Sequence, residues 1–567
     1  MNSEKKISRS KSFLIPCLML LILFVTLNTG TFCRDASDTP RDIRLVVMIV
    51  IDQLRADMIS RMEKQFDKNG FRYLTENGVR YQNAHYDYAN TITAVGHASL
   101  FTGTASSNHG IIGNSWFDQN SGKEVNAVVI PSNPQNPQEK IRGPFHLLST
   151  TIGDELVLSS NKQSRVFGIS SKDRGAILPS GFLGKAFWFD NETGQFTTST
   201  YYYPSARPSW LTHWNAEKHA ESYRNKSWNL LKDKSTYIYG PRYAIDNEAI
   251  KAKLPNVAPR SSFPHAYDPK MLPYKEMSFY EWLQNTPFGD EMTIQLACRL
   301  LKEEKLGQGS FPDMLTVSLS GTDAIGHTYG PDSLEYEDNI LHVDQCLAEL
   351  FQAVNGSVGL DHTLIVVTAD HGGDYTPETR DFIDIIGGRL NPKTFAEAID
   401  STLQKKYKTS EAFVLGFRNP SLYLNMRTID ALNLNIEEVE HLAADALKKI
   451  KGVALAMTRS DLLKGHVPGI PLMEPMKKMF HPKRSGNILI VQEPFWYLYH
   501  DINDAAMHGS PYNYDTHVPL FFSGPGIKPR SVFRNVNPLD IAGTVALKLG
   551  IEAPPYASKN ALIEIFE

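Results

Sequence analysis

Asp52, Asp323 and Asp370 each stand at or just after the end of an apolar, strand-like run: Arg44 to Ile51, Asp313 to Ser320 and His362 to Thr368. His327 lies four residues beyond Asp323, His371 follows Asp370 directly, and His517 opens another apolar run. Three carboxylates converging on one sheet edge repel one another unless cations separate them. Mixed aspartate and histidine sets suit zinc, which takes imidazole nitrogen and carboxylate oxygen alike. Six such residues divide into two sites of three, each with a position left for substrate or water. A two-metal centre of that kind serves in-line displacement at phosphorus. Singly, each residue has a plainer reading: an aspartate after a strand is commonly a turn residue or helix cap, and a lone histidine a packed structural residue. Their gathering on one predicted edge gives the set its weight.

One hydroxyl belongs beside them. Thr91-Ile-Thr-Ala-Val-Gly-His-Ala-Ser-Leu-Phe-Thr-Gly103 reads as the opening of a helix that stops at Gly103. Thr93 falls at its N-terminus, where unpaired N–H groups and the helix dipole favour an anion. A hydroxyl there serves either as an N-cap or as a nucleophile whose alkoxide form is stabilised.

The elements that must position these groups alternate strand and helix, which predicts an α/β fold with a mostly parallel sheet sandwiched by helices. In such sheets ligands gather at the carboxyl ends of the strands. A further strand, Arg165 to Ser170, runs into Ser171-Lys172-Asp173-Arg174. Residues 181–285, rich in Tyr, Trp, Pro and Asn, and residues 374–505, with a helix at 436–451, read as two insertions over the active-site edge of a single catalytic domain spanning about 40–560.

Composition narrows the classes. The 567 residues are 42% hydrophobic and 21% charged, the make-up of an ordinary globular protein, with no basic stripe to suggest nucleic acid. Lys5, Lys6, Arg9 and Lys11 precede an apolar run from Phe13 to Leu27, the pattern of a secretory signal ending near residue 33. Removing its net charge of +3 from the formal −4 leaves about −7 on the mature chain. Of the four cysteines, Cys298 and Cys346 lie beyond that segment; they either pair or remain two buried thiols. No C-x-x-C spacing offers a cysteine metal site.

Asp52 after its strand, T-x-T-A-x-G-H around Thr93, G-T-D-x-x-G-H at 321–327, T-A-D-H-G-G at 368–373 and Y-D-T-H-V-P at 514–519 together resemble the alkaline phosphatase superfamily. More narrowly, the chain is similar to the bacterial, phosphate-irrepressible alkaline phosphatases with a threonine nucleophile, with the motifs in family order from about residue 44 to 555. The resemblance implies an alkaline-phosphatase-like fold and two zinc ions per chain. Asp323, His327 and His517 would hold one; Asp52, Asp370 and His371 would hold the other, with the Thr93 oxygen beside it. Thr93 would attack phosphorus, giving a phospho-threonine intermediate. Asn114, in I-x-G-N, matches an amide donor to a nonbridging phosphate oxygen. Lys172 and Arg174 match a phosphate-contacting pair of the monoesterase branch, a role that suits a point charge and a bidentate donor. His97 and His508 also lie in matching motifs, but no chemistry requires them, and they stay outside the expected ligand set.

The implied enzyme is a periplasmic or secreted phosphomonoesterase. Its partners are small-molecule phosphate esters, with no nucleic acid and no stable membrane partner after signal cleavage, and the chain is read as a monomer. The alternative is a phosphodiesterase or nucleotide pyrophosphatase of the same superfamily, against which Lys172 and Arg174 weigh. A sulfatase is disfavoured, since the nucleophile region has no C-x-[PA]-x-R site. A catalytically dead binding protein is disfavoured as well, because every matched position holds a competent residue.

Overall fold

Leu45–Ile51 (β1), LVVMIVI, is buried at every position, as a strand covered on both faces must be. Around it, in a computed structural model, lie β2 (Gly78–His85), β3 (Val166–Ser170), β4 (Lys185–Asp190), β5 (Gln195–Thr197), β6 (Asp313–Leu319) and β7 (Thr363–Thr368). The structure describes residues 43–567 apart from 134–135, 239–262, 270–276, 378–385 and 499–503. The expected signal segment, 1–33, lies outside the described residues. Among the described residues no helix is long and apolar enough to cross a membrane.

Four strands form a separate antiparallel sheet: β8 (Val414–Arg418), β9 (Ser421–Leu424), β10 (Val453–Thr458) and β11 (Ile488–Gln492), in the order β8-β9-β11-β10. It carries an apolar core of its own, in which Phe395, Leu422, Val439 and Ile490 are buried. The helix expected over 436–451 ends at Leu447, and Gly452, at φ 96°, turns the chain into β10. The chain then returns to the main sheet through β12 (His517–Ser523) and β13 (Arg530–Val536).

The central sheet has nine strands in the order β13-β2-β12-β7-β1-β6-β3-β4-β5. The run from β7 to β4 is parallel. β12 lies antiparallel between β7 and β2, and β5 is antiparallel at the far edge. β4 and β5 thus extend the main sheet, although they fall inside the stretch expected as the first insertion. The helices that matter below are α1 (Thr93–Thr102), α2 (Asp173–Ser180), α3 (Pro287–Glu303), α4 (Gly321–Tyr329) and α5 (Leu334–Ser357). Cys298 on α3 and Cys346 on α5 are free thiols.

Register explains the site. Ile51 pairs with Leu319, Val50 with Thr368, and Ser318 with Ser170, so β1, β6, β7 and β3 end nearly flush. Asp52, Lys172, Asp323 and Asp370 follow those ends within a few residues. Four apolar strands in parallel register therefore deliver three carboxylates and an ammonium to one edge.

Candidate active site

Asp323, in the first turn of α4, is the hub of one ligand group. Its Oδ1 lies 3.2 Å from His327 Nε2, 3.4 Å from His508 Nε2 and 4.0 Å from His371 Nε2. Each of these rings offers its Nδ1 to a backbone carbonyl: His327 to Ala506 at 2.8 Å, His371 to Gly372 at 2.9 Å and His508 to Thr91 at 2.7 Å. Those bonds place a proton on Nδ1 and turn Nε2 toward Asp323, the arrangement by which metal-binding imidazoles are oriented. Without a cation, Asp323 outweighs burial at His327 and pushes its imidazole up to about 9. The His371 and His508 rings stack, with centroids 3.6 Å apart. Asp323, His371 and His508 together form one candidate cation group.

Asp52, His97 and Asp370, all fully buried, form the second. His97 lies 3.7 Å from Asp52 and 3.4 Å from Asp370, but both its ring nitrogens are already engaged, with the Thr93 carbonyl at 2.9 Å and the Ser318 hydroxyl at 3.0 Å. It braces α1 against β6 rather than offering a free nitrogen. The helix runs so close to Asp370 that a Cβ at Gly96 would collide with the Asp370 carbonyl oxygen. The glycine of T-A-x-G-H is there to permit that approach.

The donor set fits metal. Asp370 Oδ2 and His371 Nε2 are buried, 3.4 Å apart, and neither has a hydrogen-bond partner among the described residues. A buried carboxylate oxygen and imidazole nitrogen left without partners are costly unless a cation takes them. Burial, reinforced by neighbouring His508, holds the His371 imidazole well below the usual range and so neutral, as a ligand must be. Lys172 Nζ bridges the two groups, 3.0 Å from Asp52 Oδ2 and 2.5 Å from Asp323 Oδ2. Burial opposes its charge, but Asp323 and Asp52 outweigh burial and keep the ammonium in place. Beneath them, Asp290 on α3 accepts the Gly321 N–H at 3.0 Å, and burial pushes its carboxyl up to about 7.

Thr93 is the first residue of α1 and is buried, 2% exposed. The N-cap position belongs to Ile92, whose side chain makes no cap bond, and the Thr93 hydroxyl has no hydrogen-bond partner among the described residues. It is not spent as a cap. Asn114 accepts the Ala94 N–H on its Oδ1 at 3.0 Å, which turns its amide NH2 away from the helix end as a free double donor. Arg174, in the first turn of α2, has a buried Nε without a partner.

His517 does not join the group. It opens β12, opposite His85 on β2, and its ring stacks on His85 at 4.3 Å while its Nε2 bonds the Gln82 carbonyl at 2.8 Å. β12 and β6 are three strand positions apart, roughly 14 Å at ordinary strand spacing. An imidazole on β12 cannot span that gap to Asp323. The histidine that does face Asp323 is His508, on a loop in which Ala505 N–H donates to the His327 carbonyl at 2.6 Å. In the sequence this residue is signalled by its place in a matching motif, as a histidine-glycine pair whose Gly509 takes φ 106°.

Gln53 was also beyond pattern reading. It is fully buried at φ 61°, a left-handed conformation uncommon for a non-glycine residue. That twist lets its N–H donate to Asp370 Oδ1 at 3.2 Å while its side-chain amide donates to Asp323 Oδ1 at 2.9 Å. Its carbonyl accepts the Tyr336 hydroxyl at 2.6 Å, and Gly326 leaves room for its amide. Gln53 thus ties the two carboxylates together. Gln53→Ala keeps the backbone bond and removes the other, so zinc affinity should fall by about 10–100-fold, the usual cost of an outer-shell partner. Chelator competition measures this, and parental zinc release would show the tie to be idle.

The sequence model of the type I phosphodiesterase / nucleotide pyrophosphatase family matches residues 46–515. The chain belongs to that family, within the alkaline phosphatase-like superfamily. Among relatives, a protein named calcium-transporting ATPase from Myroides odoratus is 33% identical over 92% of this chain and 95% of its own length. Alkaline phosphatase PhoV of Synechococcus elongatus is 32% identical over 92% and 93%. Alkaline phosphatase PafA of Elizabethkingia meningoseptica is 30% identical over 96% and 98%. A crystal structure of wild-type alkaline phosphatase PafA superposes with a TM-score of 0.79 at 29% identity, covering 93% of this chain and 99% of that one. The superfamily's mostly parallel sheet flanked by helices is the fold described above.

Proposed function

We propose that this chain is a secreted alkaline phosphatase that hydrolyses phosphate monoesters through a phospho-threonine intermediate at a site for two zinc ions. The chain is a phosphate-ester hydrolase, in keeping with its alkaline phosphatase relatives. One observation carries the finer reading: a threonine hydroxyl without a partner among the described residues at the first residue of a helix pressed against Asp370, beside an edge that gathers three carboxylates, three imidazoles whose Nε2 atoms turn toward Asp323, and Lys172.

Asp323, His327 and His508 would hold one zinc; Asp52, Asp370 and His371 the other. When bound, such ions offset the carboxylate repulsion and stabilise the attacking and leaving oxygens of an in-line displacement. The chain's own groups do the rest. The Thr93 hydroxyl gives up its proton to water and its oxygen forms a bond to phosphorus as the ester oxygen leaves with its electron pair and takes a proton from water. The N-terminal dipole of α1 stabilises the developing negative charge. The Asn114 amide donates to a nonbridging oxygen and orients the phosphoryl group. Lys172 and Arg174 meet the remaining nonbridging charge. Water then hydrolyses the phospho-threonine, releasing phosphate and restoring the hydroxyl. The basic run before Phe13 supports secretion.

The family model carries the name of phosphodiesterases, so the diester reading needs a direct contest. A monoester dianion has three charged nonbridging oxygens, whereas a diester monoanion has one of them esterified. Lys172 and Arg174 serve the extra charge. Lys172→Ala with Arg174→Ala should therefore lower kcat/KM for a chromogenic monoester by on the order of tenfold to a hundredfold per contact. The matching diester should lose far less. Equal losses would remove this pair from substrate selection, and a parent enzyme faster on the diester would favour the phosphodiesterase.

A further inference from the structure

Beside the phosphate site, on the β3–β4 side of the sheet edge, opens a cleft of about 630 Å³ whose lining includes Lys172 and Arg174. Three more cations border it: Lys140 and Arg142 on the strand Asn136–Arg142, and Arg207 on the chain leading away from β5. Asp173, Asp190 and Glu192 are the carboxylates that face them. Two of these acids are committed. Asp173 accepts Arg142 Nε at 3.0 Å and the Arg174 N–H at 2.7 Å. Asp190 turns back on its own turn, accepting the Glu192 N–H at 3.1 Å and the Thr193 hydroxyl at 2.8 Å. Lys172 is matched by Asp52 and Asp323. Lys140, Arg174 and Arg207 have no ion-pair partner among the described residues; Asp190, whose hydrogen bonds come from neutral donors, and Glu192 are the two carboxylates set against these three cations.

The chain is negative overall, so a cleft against the reaction site that keeps a positive excess is a local departure from the protein's general field. We infer that this cleft is a subsite for a second anionic group, a phosphate or carboxylate, carried on the leaving group of the ester being cleaved. The inference rests on the phosphatase reading and adds the substrate class: small bisphosphates and other monoesters with an acidic tail. Arg174 serves the reacting phosphoryl group, while Lys140 and Arg207 meet the tail. The aromatic residues of the cleft, Trp188 and Phe189, are buried, so recognition here runs on charge and not on stacking against a base.

The test compares two esters that differ only in the tail, propyl phosphate and 3-phosphonopropyl phosphate, on the metal-loaded enzyme. The phosphonate cannot be hydrolysed, so each offers one scissile bond. At low ionic strength the parent should favour the phosphonate-bearing ester by about tenfold in kcat/KM, and the preference should shrink as salt screens exposed charges. With Lys140→Glu and Arg207→Glu combined, the ratio should fall by about tenfold or more, to about one or below. Hydrolysis of propyl phosphate reports that the variant is folded. A ratio of one in the parent at every salt concentration, or the same ratio in parent and variant, overturns the subsite and leaves the phosphatase standing. Failure to hydrolyse either ester overturns the phosphatase reading itself.

Discussion

Thr93→Ala is expected to lower kcat for phosphate monoesters by on the order of a thousandfold or more, the usual size of losing a covalent nucleophile, while zinc content stays near that of the parent. The residue opens α1 without capping it, so the substitution removes no hydrogen bond from the helix end. Alanine is also at least as good a helix former, and stability should be close to parental. Thr93→Ser retains the attacking oxygen and should keep activity within about tenfold of the parent, because the methyl group has no part in the bond changes. Phosphate trapped on the protein by acid quench should be found in the parent and the serine variant and be missing in the alanine variant. Parental turnover in Thr93→Ala would reduce Thr93 to a helix residue.

His508→Ala and His517→Ala should part company. His508 offers a free Nε2 3.4 Å from Asp323, whereas His517 spends its Nε2 on the Gln82 carbonyl. Losing one of three ligands should bring His508→Ala from about two zinc ions per chain towards one and cost on the order of a hundredfold in kcat/KM. His517→Ala should keep both ions and a rate within about threefold, since it gives up one backbone contact and a ring stack at a partly exposed position. Elemental analysis beside a monoester assay decides it. Zinc loss from His517→Ala with none from His508→Ala would reverse the placement of these two residues. Full activity after thorough chelation would end the two-metal reading.

The contrast between those two histidines marks where sequence patterns reach and where they stop. Asp52, Asp323 and Asp370 were legible because each follows a mostly apolar run of strand length, the mark of a strand buried on both faces. Their ends then share an edge by register. A histidine on a loop has no such periodic signal. His517 drew attention because it opens a strand, yet β12 runs antiparallel on the wrong side of β7. β2 and β13 were missed for a related reason: in β13 most side chains are exposed, and in β2 the apolar run is broken by polar residues, while β4 and β5 are short and lie in the stretch read as an insertion. Gln53 could not be read at all, since its role comes from a backbone angle that residue identity does not announce.

The flush parallel strands carry a consequence for how the protein matures. Groups that meet within about 4 Å of Asp323 come from segments as far apart as Lys172, His371 and His508, so none of the cation groups exists until the most distant pairings have formed. Sheets of such high contact order assemble slowly, and little short of the native topology brings these ligands together. Metal then binds the finished fold and hardly at all its precursors, which makes metal occupancy a late lock that deepens the native basin by mass action. A chain exported unfolded would cross its membrane without metal and acquire both activity and resistance to unfolding in one step, on the far side, at whatever zinc concentration it meets there.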